Sequence, residues 1–251
     1  MSNKIKLLLA FLLLLAIGLG GGYVYSSLTG ANFLGVQFYK EEGDAPDKLV
    51  GKIDVADSPY FPKLDFYNME SKGNLIILTH FKTSQQVTGY TCGPACAHMV
   101  VEYLNGKPLH TELEMAQTMG TDNKKGTSAK QMVKYFQSIG WKTKSSADTK
   151  SPATYEDFLK FVKSNLENNT PIMVENIDWG GHWRVIIGYD SLGTGNAGDD
   201  VLIMADPYDT TDHTQDGYGV VPAERFFYMW FDAHLMKSGE RDKQWVTATP
   251  K

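Results

Sequence analysis

Four side chains in this sequence have the types and settings for acyl chemistry: Cys92, His182, Asp206 and Gln86. The run Gly89 to Cys96 reads GYTCGPAC and places Cys92 at the opening of a helix, with Gly93 and Pro94 in its first turn, where proline is tolerated. Unpaired N–H groups and the positive end of the helix dipole stabilise a thiolate there, and the thiolate is the nucleophile. Cys96 lies one turn further in, on the apolar side, and reads as a small buried hydrophobe. Taken alone, Cys92 is as easily a structural residue. A base that could activate it therefore decides the matter.

Of the six histidines, His182 has the most informative surroundings, because a Gly-rich loop (Asp178 to Gly181) enters an apolar strand at that residue. Gly180 and Gly181 let a substrate backbone approach closely. Trp183 comes next, and with Trp179, Tyr208 and Tyr218 it is a residue that could line a cleft or pack in the core. The imidazole needs an orienting partner. Asp190 lies on the same strand, about 26 Å away at ~3.3 Å per residue, which excludes it. If the strands 182–190 and 201–206 form a hairpin centred on Thr194, Asp206 faces His182. Asp178 is the alternative. The developing oxyanion needs donors: the Cys92 backbone N–H is one, and Gln86 or its neighbour Gln85 offers a side-chain amide.

Periodicity supplies the scaffold for these groups. Helices are expected over 92–104, 127–139 and 155–166, where apolar residues recur on one side, and a short one over 112–119. Strands are expected at 75–78, 141–145, 171–177, 182–190 and 201–206, where Val, Ile and aromatic residues concentrate. The aromatic run 223–235 is expected to be a helix packed on the sheet. Helices first and antiparallel strands later predict an α+β fold.

Gln86-x5-Cys92-Gly93, then Gly181-His182 before an apolar strand, then Asp206-Pro207, resembles the bacteriocin-processing (double-glycine) cysteine peptidases and their stand-alone relatives, within the papain-like superfamily. The GTSA run from Gly126, opening a helix that ends in Gly140-Trp141, fits the same pattern, and the resemblance covers roughly residues 80–235. It implies a papain-like fold, its helical part packed on a C-terminal antiparallel sheet. It also implies Cys92 as nucleophile, His182 as base, Asp206 as orienter and Gln86 as oxyanion donor. Gly180, Gly181 and Trp183 are expected to contact substrate. The best-known members carry the peptidase on a transporter with an ATPase domain; here no GxxxxGK[ST] phosphate loop occurs, so no ATP and no cofactor are expected. Acyl transfer to an amine, and peptide binding without catalysis, are the alternative readings.

Composition sets outer bounds. With 251 residues, 42% hydrophobic and 21% charged, the chain suits one globular domain. A net charge of -5 argues against a general nucleic-acid binder. Two cysteines are few for a disulfide framework or a structural zinc site. Lys4 and Lys6 precede an uncharged apolar run from Leu7 to Tyr25, long enough to cross a bilayer, and the charge bias places the downstream domain outside. The expected organisation is a signal-anchor or signal peptide over 1–30, a stalk and entry segment over 31–75, the peptidase domain over 76–240 and a polar tail over 241–251. The domain is then extracytoplasmic, membrane-anchored or secreted, and acts on a peptide or protein. Asp206, Asp209, Asp212 and Asp216 form an acidic run, and Asp212-x-Thr-x-Asp216-Gly217 begins like a calcium loop, but Ala223 stands at the twelfth position where that loop needs Glu, so no metal is expected.

Overall fold

The computed structural model describes residues 64–209 and 215–251. The apolar run 7–25 and Asp212 lie outside them. Among the described residues no helix is long and apolar enough to cross a membrane.

Strand β1 (Leu75–Ile77) leads into helix α1 (Cys92–Asn105), α2 (Glu112–Met119) and α3 (Ala129–Ser138). Strand β2 (Lys142–Ser145) and helix α4 (Tyr155–Glu167) come next. The chain then lays down β3 (Ile172–Asn176), β4 (His182–Asp190), β5 (Val201–Ala205) and β6 (Tyr218–Pro222), a short α5 (Ala223–Tyr228) and β7 (Trp245–Thr249). Seven strands form one sheet in the order β2-β7-β3-β4-β5-β6, with β1 against the far half of β4; every pairing is antiparallel. This is the expected α+β architecture.

Local chemistry explains the helix boundaries. α2 and α3 each open with a capping box, Thr111 with Glu114 and Ser128 with Gln131, which satisfies two otherwise orphaned N–H groups reciprocally. α1 differs from its expected single apolar stripe. Cys92 to Ala97 and Met99 to Val101 are all buried, so it is a central helix surrounded by protein. Gly93 is what allows this: a Cβ there would lie 2.9 Å from Cβ of Thr127.

Two expectations need correction. The aromatic run is helical only over Ala223–Tyr228, after which Trp230 turns inward, 1% exposed, its indole N–H donating to the Gln244 carbonyl at 2.8 Å. The tail 241–251, expected to be polar, holds β7, which pairs with both β2 and β3. Its polar residues disguise it in the sequence, because Gln244 and Thr247 are buried beside Trp245, Val246 and Ala248. Deleting residues 244–251 should therefore abolish cooperative unfolding. Losing Trp245 and Val246 alone removes about 3–6 kcal/mol of burial, comparable with a domain's whole stability. A truncated protein with an unchanged thermal transition would contradict this placement.

Candidate active site

Cys92 is the first residue of α1 and His182 the first of β4. The imidazole Nε2 donates to Oδ1 of Asp206 at 2.7 Å, and both side chains are buried. That leaves Nδ1 free of the carboxylate, and Cys92 is near enough to the ring to raise its basicity. Burial opposes charge on His182, but the Asp206 carboxylate, its hydrogen bond and Cys92 together lift the imidazole from 6.5 to about 9. Burial likewise pushes the Asp206 carboxyl up; His182, Arg184 and the Tyr208 N–H outweigh it and hold Asp206 well below the usual carboxylate range.

The route by which Asp206 reaches His182 differs from the expected register. Val185 pairs with Ala205 and Ile186 with Met204, and the register shifts between Ile186 and Gly188. Continuing this pairing puts Asp206 opposite Arg184, with His182 one step further along the same face. The carboxylate therefore serves two cations: Oδ2 accepts from Arg184 Nε at 2.6 Å while Oδ1 accepts from His182. Asp178, the alternative orienter, instead braces Arg184, Oδ2 to Nη1 at 2.7 Å. Arg184 gave no signal in the sequence, because a buried arginine and an exposed one read alike.

Gln86 is 2% exposed. Its backbone N–H donates to the Pro207 carbonyl at 2.8 Å, tying this loop to the residue after Asp206. One proton of its side-chain amide goes to the Thr88 carbonyl at 2.7 Å, and its Oε1 is buried without a partner. The loop is pinned from below by Glu112, whose Oε1 accepts from Val87 N–H at 3.1 Å. Burial raises the Glu112 carboxyl, against its bonds to Thr91 and Val87. Gln85, the alternative donor, has a buried Oε1 without a partner.

Trp183 does not line the cleft. It is 1% exposed and its indole N–H donates to the Thr127 carbonyl at 2.7 Å, because alternation along β4 turns 183 to the opposite face from 182 and 184. Tyr218 is also internal, its hydroxyl donating to the Phe81 carbonyl. Trp179 and Tyr208 do border the site. The Trp179 ring meets His182 edge-on, centroids 5.0 Å apart, and Tyr208 edge-on at 5.1 Å. They screen the His182–Asp206 bond from water, which strengthens it.

Glu175 of β3 is a site neighbour that the sequence did not disclose. Burial, opposed by its bond from Gln244 and reinforced by Asp232 and Cys92, raises its carboxyl to about 9, so it is neutral at pH 7. Gln244 Nε2 donates to its Oε2 at 2.8 Å, and Gln244 Oε1 accepts from Ala129 N–H at the start of α3. Gly181 passes directly over this carboxyl: a Cβ would sit 2.6 Å from Oε1 of Glu175 and 2.7 Å from Cδ1 of Leu235. Gly181→Ala should therefore displace the entry to His182 and destabilise the domain by about 1–3 kcal/mol. An unchanged Tm and turnover would show that the segment yields freely.

The Cys96 side chain is wholly buried in α1, and burial pushes its thiol well up. Among the described residues no His/Cys/Asp/Glu cluster could hold a metal ion. In the acidic run, Asp209 Oδ2 accepts from Gly217 N–H and Asp216 Oδ1 from Tyr218 N–H.

A helix opening on a cysteine, packed against an antiparallel sheet whose strand opens on a histidine, is the papain-like cysteine peptidase fold. The model of the Peptidase_C39 like family matches residues 78–230, and the chain belongs to that family. It is a cysteine-type peptidase. Among solved structures it is similar to the peptidase domain of Streptococcus ComA, a bifunctional ABC transporter involved in a quorum-sensing pathway. Identity is 20% and the TM-score 0.46, over 68% of this chain and 100% of that one. The peptidase domain of Streptococcus mutans ComA gives 18% identity and a TM-score of 0.37 over the same shares. No curated protein matches the chain.

Proposed function

We propose that the protein hydrolyses a peptide bond through Cys92, His182 and Asp206, in a domain held at the outer face of a membrane by the apolar segment 7–25. The observation that carries the chemistry is the His182–Asp206 bond at 2.7 Å on an imidazole that Cys92 also influences. Lifted to about 9, the His182 imidazole is basic enough to take the proton of the Cys92 thiol as Sγ becomes the nucleophile. Cys92 Sγ attacks the substrate carbonyl carbon. The Cys92 backbone N–H and the side-chain amide of Gln86 receive the oxyanion. His182 passes its proton to the departing amine, giving a thioester. Water, deprotonated by the same imidazole, then attacks the thioester and restores the thiol.

The test is digestion of a proteome-derived peptide library, with products read by mass spectrometry. New termini are expected, and prior treatment with iodoacetamide should remove them. Cleavage that survives full alkylation of Cys92 would overturn the proposed chemistry. For the location, Lys4 and Lys6 before the apolar run support an external domain. The full chain should sediment with membranes and be digested by protease added to intact cells; a protected domain would reverse the assignment.

A further inference from the structure

Beside the site lies a cavity of about 490 Å³, bordered by Asn176, Trp179, Arg184, Val221, Arg225 and Phe226 among others. Two of these residues are buried polar groups with unmet bonding capacity. Asn176 is 4% exposed and Arg184 3%, yet Asn176 Oδ1 and Arg184 Nη2 have no hydrogen-bond partner. The guanidinium cannot rotate to find one, because Nε is held by Asp206 and Nη1 by Asp178. An unmet acceptor and an unmet donor beside one cavity are what a peptide group satisfies, its N–H meeting Oδ1 and its C=O meeting Nη2.

The charges add a second requirement. Asp178, which also borders the cavity, is neutralised by Arg184. Arg225, on the exposed side of α5, makes no ion pair among the described residues, so the cavity has one uncompensated positive charge. Its walls are otherwise apolar. Trp179 lies on its border, 57% exposed, its ring 5.9 Å from the Arg184 guanidinium. Because the same ring touches His182, Trp179 borders both the histidine and the cavity.

We propose that this cavity is a substrate subsite for an acidic residue, whose backbone amide meets Asn176 and Arg184 and whose carboxylate meets Arg225. The inference rests on Cys92 and His182 being the catalytic pair. It is tested in two arms, one needing cleavage and one not. In the peptide library, the wild-type protein should cut peptides enriched in Asp or Glu at one fixed distance from the new terminus. Arg225→Gln should erase that enrichment and Arg225→Glu should replace it by Lys or Arg. Cleavage without acidic enrichment, or enrichment that survives Arg225→Glu, overturns the subsite and leaves the peptidase chemistry standing. Absence of any cleavage is a failure of the chemistry, and calorimetric titration of Cys92→Ala then judges the cavity alone. N-acetyl-Leu-Glu-amide should bind about tenfold more tightly than N-acetyl-Leu-Gln-amide, since a charge-assisted bond to arginine is the difference. Arg225→Gln should remove the difference. Equal binding of the two dipeptides to Cys92→Ala, or none of the acidic one, overturns the proposal.

Discussion

Cys92→Ala is expected to lower peptide cleavage by on the order of 10⁴-fold or more, because the bond-forming atom itself is gone. The fold should survive. Cys92 is 7% exposed, and the change deletes one sulfur at the end of a helix whose other residues remain packed, a cost of about 1 kcal/mol. Circular dichroism and the urea midpoint check the second half of the expectation. Cys96→Ala is the paired control. Its thiol is wholly buried and held protonated, so most activity should remain. Iodoacetamide should label Cys92 in the native protein and reach Cys96 only after unfolding. Full activity in Cys92→Ala, or full loss in a folded Cys96→Ala, would move the nucleophile elsewhere.

Asp206→Asn should reduce turnover by about 10³–10⁴-fold. Without the carboxylate, the influences left on His182 are burial, which lowers the imidazole, and Cys92 alone, which raises it. The ring then loses its proton well below the native value of about 9, and the alkaline limb of the pH–rate profile moves to lower pH. The same change is visible in stability. In the folded protein His182 titrates at about 9, against 6.5 for a free imidazole, so its contribution is complete below pH 6.5 and is lost as pH rises through about 9. Asp206, held below its ordinary 3.8, contributes stability that is present above pH 4 and lost as pH falls below it. The two contributions are largely one interaction, seen from its two ends, and its energy enters once.

Urea unfolding of the native protein should therefore weaken between pH 6.5 and pH 9.5, by on the order of 3 kcal/mol at most. In Asp206→Asn that slope should shrink or vanish. The variant should also be less stable at pH 7 by about 3–5 kcal/mol, since Arg184 is left buried with Asp178 as its single carboxylate. A native pH profile with no alkaline loss, matched by the variant, would mean that the imidazolium is not the working state.

Features that depend on local chemistry were legible in the chain. A Gly-Pro pair after Cys92 fixes a helix start, and therefore a thiol at the positive end of α1. Ser128 with Gln131, and Thr111 with Glu114, fix the next two helices within a residue or two. β-branched runs fix β3, β4 and β5, and a Gly-rich loop before such a run puts His182 at a strand entrance. Short-range sterics and capping decide these features, so neighbours in the chain carry the information.

Which groups meet was settled by the packed fold alone. A regular hairpin about Thr194 would have set Asp206 directly opposite His182; the pairing of β4 with β5 is offset from that, and the one-residue shift between Ile186 and Gly188 brings Arg184 instead of Val185 opposite Asp206, which puts the carboxylate on the face that carries both His182 and Arg184. The inward turn of Trp183, the insertion of β7 between β2 and β3, and the burial of Glu175 beneath Gly181 have the same origin. Each depends on pairing between segments distant in the chain. Alternation along a strand says that two faces exist; what covers each face, and hence whether a carboxyl or guanidinium on it keeps its charge, is settled when the distant partner docks.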